Sequence, residues 1–208
     1  MPRVNIDNKD ILASANEDER FIRPLNLPEG SAGRGAWLYD LGDERKILVA
    51  QVMGRVFMGD YADPFQAIDE ELNGLALGSG ADCIIVDIHA EATSEKMAMG
   101  HYLDGRVTLV VGSHTHVPSA DQHVLEGGTA YISDIGMCGD YDSVIGMKKD
   151  GAINRLTSGD NAERLEPAKG EATICAVVVE TDEETGLATS IEPLRMGGRL
   201  APAWPGGE

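Results

Sequence analysis

The sequence predicts a mixed α/β sandwich, and three observations carry that reading. Two short runs, Cys83-Ile84-Ile85-Val86-Asp87-Ile88 and Val107-Thr108-Leu109-Val110-Val111, are rich in branched apolar residues and read as buried strands. Helical patterns alternate with them. Hairpin patterns flank this middle portion on both sides. With 208 residues the chain suffices for one well-packed domain and is short for two. A single domain is expected over residues 1–200, with a loose tail at 201–208.

In chain order, Asp7 to Arg20 reads as a short helix and a charged turn. Arg23 to Gly30 looks extended, because Pro24 and Pro28 bias the residues before them away from helix. Ser31 to Gly35 is a loop. Strands are expected at Ala36–Leu41 and Lys46–Met53, joined across Gly42-Asp43-Glu44. Asp63-Pro64-Phe65-Gln66 starts a helix: Asp63 can cap, Pro64 suits the first helical position, and Gln66 stands where a reciprocal capping partner belongs. Phe65, Ile68, Leu72 and Leu75 share one face at helical spacing, and Gly78 and Gly80 end the helix. A second helix is expected from Ser94 to Leu103 and a further strand from Thr129 to Ser133. Ala172–Glu180 and Leu187–Leu194 form a hairpin across Asp182-Glu183-Glu184-Thr185-Gly186.

Composition narrows the function. A formal net charge of −18 disfavours a long nucleic acid, whose backbone is bound by Lys and Arg. A small phosphorylated substrate is compatible with it, since bound metal ions reverse the local field. The run Met1-Pro2-Arg3-Val4-Asn5-Ile6-Asp7 has no apolar signal core, and no apolar stretch has the length of a membrane span. The three cysteines, Cys83, Cys138 and Cys175, are far apart and form no C-x-x-C, which fits reduced, mostly buried thiols in a cytoplasmic protein.

The chemistry concentrates at two strand ends. His89 follows Ile88, and His114 and His116 follow Val111 in Gly112-Ser113-His114-Thr115-His116. Ligands bind outside the carboxyl ends of strands in open α/β sheets, and two neighbouring parallel strands would bring these histidines to one crevice. Residues two apart in an extended segment project to one side, so His114 and His116 can address one metal or two adjacent ones, with Gly112 allowing a tight turn before them. Imidazole suits zinc, manganese and iron. An H-x-H alone is common; His89 at a second strand end strengthens it. A dinuclear hydrolytic site also needs a bridging oxygen ligand, for which Asp87, Glu91, Asp121 and Asp134 are nearby. His101 and His123 read as surface or packing residues, and the methionines near His101 as packing. No G-x-S-x-G elbow, P-loop or dinucleotide fingerprint is present.

Longer motifs refine this picture. Asp87-Ile88-His89-Ala90-Glu91-Ala92-Thr93-Ser94-Glu95-Lys96, Val111-Gly112-Ser113-His114-Thr115-His116-Val117 and the stretch from Asp134 through Gly139-Asp140-Tyr141 to Met147 resemble the YmdB-like family of bacterial metallophosphoesterases. Arg23-Pro24-Leu25-Asn26, Gly54-Arg55-Val56-Phe57 and Asp63-Pro64-Phe65 fit the same family in the same order. The resemblance implies a calcineurin-like sandwich of two mixed sheets flanked by helices, with two divalent metal ions between the sheets. Iron or manganese is the expected metal, with magnesium or zinc as alternates. It implies hydrolysis of phosphodiesters, 2′,3′-cyclic nucleotides to 3′-nucleotides being the best-known reaction. His89 and His114 would hold one metal and His116 the other. A homo-oligomer acting on a small phosphorylated substrate, away from membranes, is expected.

The family pattern also includes a metal-binding Asp, a Glu-Asn pair and an Asn-His pair ahead of the segment matched by Asp7-Asn8-Lys9-Asp10-Ile11-Leu12. Arg3 and Val4 stand where the Asn and His would be. The resemblance thus implies a domain whose front portion is missing, and with it the carboxylate ligands and the general-acid His; no catalytic residue is assigned. Two other readings stay open: a non-catalytic metal-binding or oligomerising remnant, and a single-metal hydrolase built from His89, His114 and His116.

Overall fold

A computed structural model describes Glu17, Asp18 and residues 20–158 and 164–206. Most of the helix expected over Asp7–Arg20, and the first six residues, lie outside these. Among the described residues twelve elements follow in order: β1 (Ala36–Asp40), β2 (Lys46–Met53), α1 (Pro64–Leu72), β3 (Cys83–His89), α2 (Thr93–Tyr102), β4 (Leu109–Ser113), β5 (His123–Val124), β6 (Ala130–Ile132), β7 (Gly139–Asp140), α3 (Lys149–Ser158), β8 (Ala172–Thr181) and β9 (Ala188–Met196). The larger sheet has six strands in the order β1-β2-β3-β4-β6-β5. Its middle strands β2, β3, β4 and β6 are parallel, with β1 and β5 antiparallel at the edges. The smaller sheet, β7-β8-β9, is antiparallel.

Each face of the large sheet has its own core. Ile84, Val86 and Ile88 alternate along β3 and are fully buried toward the helices, each contributing roughly 1.5–3 kcal/mol relative to an exposed position. They pack with Leu48, Ala50 and Val52 of β2, Ile68 and Leu72 of α1, and Met99 and Leu103 from α2 and its end. On the opposite face Leu109, Val111, Ala130 and Ile132 pack under Val177, Val179 and Ile191 of the small sheet. The molecule is thus a mixed α/β protein of two sheets. Alternation along β3 sends Asp87 and His89 to the face shared with the small sheet.

Asp63 caps α1 as expected, accepting from the amides of Phe65 and Gln66, with Pro64 in the first turn. Gln66 does not return the cap; its amide bonds Glu70 one turn further on. The helix ends at Leu72 rather than at Gly78, because Asn73 is extended and Gly74 takes φ 86°. Leu75 packs onto the core from the turn beyond. Three elements carry no clear signal in the sequence. β5 and β7 have two residues each, too few to show alternation. In α3 only Ala152 is buried, so no apolar stripe marks it. The segment expected to be loose is tied back: the amides and carbonyls of Ala203 and Arg195 bond each other at 2.9 and 3.1 Å. Among the thiols, Cys175 is buried and Cys83 half-buried, but Cys138 is exposed.

Candidate metal site

Parallel pairing of β3 with β4 sets His89 beside Ser113, at the carboxyl end of both strands. The chain leaving β4 then turns so that His114 Nδ1 lies 3.1 Å from His89 Nε2, with the rings edge to face at 79°. The two strand ends do bring these histidines together.

A polar relay fixes the first ring. Gln51 donates to Asp87 Oδ2 at 2.5 Å and the Ser113 hydroxyl donates to Asp87 Oδ1 at 2.7 Å. With its proton so used, Ser113 Oγ can only accept from His89 Nδ1, 3.1 Å away. That places the proton of His89 on Nδ1 and the lone pair of Nε2 toward His114. Burial raises the pKa of Asp87, and the Gln51 and Ser113 donors oppose that rise. Burial, and then the neighbouring His114, hold the His89 imidazole down to about 4, so the ring is neutral at pH 7.

His114 Nε2 lies 2.5 Å from Glu91 Oε2. A carboxylate accepts, so Nε2 carries the proton and a neutral ring turns the lone pair of Nδ1 toward His89. Two imidazole lone pairs 3.1 Å apart repel unless a proton or a cation lies between them. Metal–imidazole bonds of about 2.0–2.1 Å place two adjacent nitrogens of one ion about 3 Å apart. The pair therefore fits two ligands of a metal such as zinc, manganese or iron. Among the described residues no three His, Cys, Asp or Glu side chains converge as a full metal cluster.

His116 stands apart from this pair. Its Nδ1 is 3.0 Å from the Ile145 carbonyl, which only accepts, so Nδ1 holds the proton and Nε2 is free to ligate. The loop bearing both histidines is strained: His114 has φ 133° and His116 φ 67°, a region costing an L residue roughly 1–3 kcal/mol. Gly112 has no such angle. Its value is space, since a Cβ there would run into the Ser133 carbonyl.

The acidic residues near the motifs divide. Asp87 orients His89 through Ser113, and Glu91 meets His114. Asp121 accepts from Ser119 and Ser133, and Asp134 from Thr115, Gly136 and Lys96. His101 lies on α2, and His123 donates to the Asp121 carbonyl and packs edge-on against Tyr131. Gln51 and Ser113 had no assigned role in the sequence. The available signal was a polar residue at 51 in an otherwise apolar alternating strand, and a serine in register with His89. Two open clefts of about 720 and 570 Å³ lie around α1, lined by residues such as Asp69, Tyr102 and Arg106 or Arg55, Asp60 and Glu95. Neither is lined by a histidine.

Fold and site together define a mixed α/β protein with an imidazole pair at the carboxyl edge of its parallel strands. The chain belongs to the YmdB-like protein family, which matches residues 4–194. It is 40% identical over 186 residues to a 2′,3′-cyclic-nucleotide 2′-phosphodiesterase of Bacillus subtilis, covering 89% of this chain and 69% of that protein. The chain spans 63–69% of the length of the curated relatives it matches. Among solved structures it resembles a hypothetical protein from Thermus thermophilus (TM-score 0.83, 40% identity, 93% of this chain and 73% of that one). It also resembles a novel phosphatase of Mycoplasma pneumoniae (TM-score 0.80, 33% identity, 92% and 68%). Among the described residues no helix is long and apolar enough to cross a membrane.

Proposed function

We propose that the chain is a metal-dependent phosphodiester hydrolase converting 2′,3′-cyclic nucleotides to 3′-nucleotides. In this reading it has a calcineurin-like sandwich, with His89 and His114 on one divalent ion and His116 on a second, iron or manganese. The observation that carries it is the pair of imidazole nitrogens 3.1 Å apart at the ends of adjacent parallel strands. The Bacillus relative supplies the substrate class by its name. Metal ions bound there would stabilise charge on the phosphoryl oxygens and acidify a water. The chain's own part is positioning. Asp87 and Ser113 keep His89 in its Nδ1-protonated form, and the Ile145 carbonyl does the same for His116.

A second reading, a metal-binding module without turnover, is favoured by the lack of a third convergent donor among the described residues. One assay separates the two. The chain is incubated with manganese or iron(II) and 2′,3′-cyclic AMP, and 3′-AMP is followed beside His89→Ala, His114→Ala and a chelator. Metal-dependent product lost in all three controls supports hydrolysis. Metal bound through the histidines without product selects the module. Product that persists in His89→Ala or with chelator overturns the site.

A further inference from the structure

We infer that Asp134, with Lys96 as its counter-ion, is the positioning residue that holds the histidine loop in its strained form. Lys96 comes from α2 and Asp134 from the chain after β6, and their side chains are only 2% and 4% exposed. Lys96 Nζ lies 3.2 Å from Asp134 Oδ2. The same oxygen accepts the Thr115 amide at 2.8 Å, and Oδ1 accepts the Gly136 amide at 2.9 Å. Thr115 is the residue between His114 and His116, both of which have left-handed φ angles. The carboxylate therefore grips the one amide flanked by two strained residues.

A purely stabilising role does not explain a buried ion pair here. The desolvation of two charges offsets most of their attraction, so apolar replacements of such pairs are often neutral or stabilising. What the pair supplies is an ionised acceptor at a fixed point, aimed at two loop amides. The stem of Lys96 also passes close to Gly112, where a Cβ would meet its Cδ at 3.0 Å. Anchor and loop are thus packed as one unit under the end of β4. From the other side Tyr141 completes the hold: its hydroxyl is 3.1 Å from the His116 carbonyl and accepts the Met137 amide at 3.1 Å. Release of Thr115 would let residues 114–116 relax to ordinary angles and turn the His116 ring from the Ile145 carbonyl.

The inference rests on the metal-site reading for one of its two readouts. The first is manganese(II) affinity, titrated by electron paramagnetic resonance. The second is the tautomer of His116 in ¹⁵N-histidine spectra of the metal-free chain, which needs no metal to bind. Asp134→Ala should lower manganese affinity about 10- to 100-fold, the range for residues behind metal ligands, and lose the Nδ1-protonated form of His116. The double variant Asp134→Leu/Lys96→Met removes both charges and both acceptor oxygens at similar volume, so it leaves no lone buried charge and should fold yet lose both signals. Thr108→Val, which breaks buried hydrogen bonds elsewhere in the same sheet, should lower stability and leave both signals unchanged. If the wild-type chain binds no manganese, the metal reading fails, and the tautomer alone decides the anchor. If Asp134→Ala does not fold, the double variant decides. The inference is overturned if Asp134→Ala or the double variant keeps the wild-type tautomer, or if Thr108→Val loses it equally.

Discussion

Ser113 stands directly across the β3–β4 ladder from His89, its Oγ 3.1 Å from the ring Nδ1, and donates its own proton to Asp87. The serine thus hands the orientation of a buried carboxylate to an imidazole. Ser113→Ala would free the ring to take either tautomer, and only one of them presents a lone pair at Nε2. We expect manganese affinity to fall about 10- to 100-fold in Ser113→Ala, with secondary structure unchanged by circular dichroism. An unaltered titration would show that the ring is oriented by its packing alone.

Gly112 lies under the Ser133 carbonyl, and a methyl group at this position would occupy the same space as that oxygen. Backbone, unlike a side chain, cannot swing aside. Gly112→Ala should therefore cost at least about 2–3 kcal/mol, at the upper end of overpacking penalties. Urea denaturation would measure it. A loss under about 0.5 kcal/mol, typical of an unconstrained surface site, would mean that the β4–β6 contact gives way easily.

The central architecture was legible because its signals are strong. Runs rich in branched apolar residues marked β3 and β4, Asp63-Pro64 marked the start of α1, and histidines followed two strand ends. The parallel register that joins His89 to His114 then followed from topology. The relay was less legible. Asp87, Ser113 and Gln51 are ordinary polar residues until strand pairing aligns them. The loop angles at His114 and His116 could not be read at all, since their cause is the distant acceptor Asp134, nineteen residues from Thr115. Leu75, by contrast, misled: its spacing fits α1, but Asn73 and Gly74 end the helix first.

Phe57 is 90% exposed and has φ 62°. It occupies the third position of a turn closed by the Met58 amide on the Arg55 carbonyl at 3.1 Å. A left-handed angle costs an L residue about 1–2 kcal/mol, and little burial is lost by removing this side chain. Glycine returns about 0.5–1 kcal/mol of that as unfolded-chain entropy. Phe57→Gly should then raise stability by about 0.5–1 kcal/mol, while Phe57→Ala, which keeps the angle without the ring, should stay near wild type. A glycine variant less stable than the alanine variant by about 0.5–1 kcal/mol, the entropy cost alone, would show that the turn is not under strain.

The thiols should react in a defined order. Cys138 is exposed, Cys83 half-buried and Cys175 buried. Burial also pushes the Cys83 thiol above its usual pKa, which lowers its thiolate fraction. With iodoacetamide at neutral pH, peptide mapping over time should find Cys138 labelled first, then Cys83, with Cys175 protected until unfolding. Labelling of Cys175 before Cys83 would mean that the β7–β8 region opens more readily than the start of β3.

Thr108 links the two sheets through one hydroxyl. Its side chain accepts the Ile84 amide at 3.0 Å and donates to the Gly186 carbonyl, in the turn between β8 and β9, at 2.8 Å. The residue is 1% exposed, so water cannot replace either bond without opening the structure. Valine has nearly the same shape and offers neither a donor nor an acceptor, so Thr108→Val strands an amide and a carbonyl in the interior. Each unsatisfied group costs roughly 1–3 kcal/mol, giving an expected loss of about 2–5 kcal/mol after the small gain from an added methyl group. Thr108→Ser keeps both bonds and removes one methyl group, so it should cost only about 1 kcal/mol. The ordering serine above valine is therefore the test, read from urea midpoints of the two variants. It inverts the ranking expected from apolar burial alone, and a valine variant as stable as the serine variant would show that the hydroxyl does not tie the small sheet to the large one.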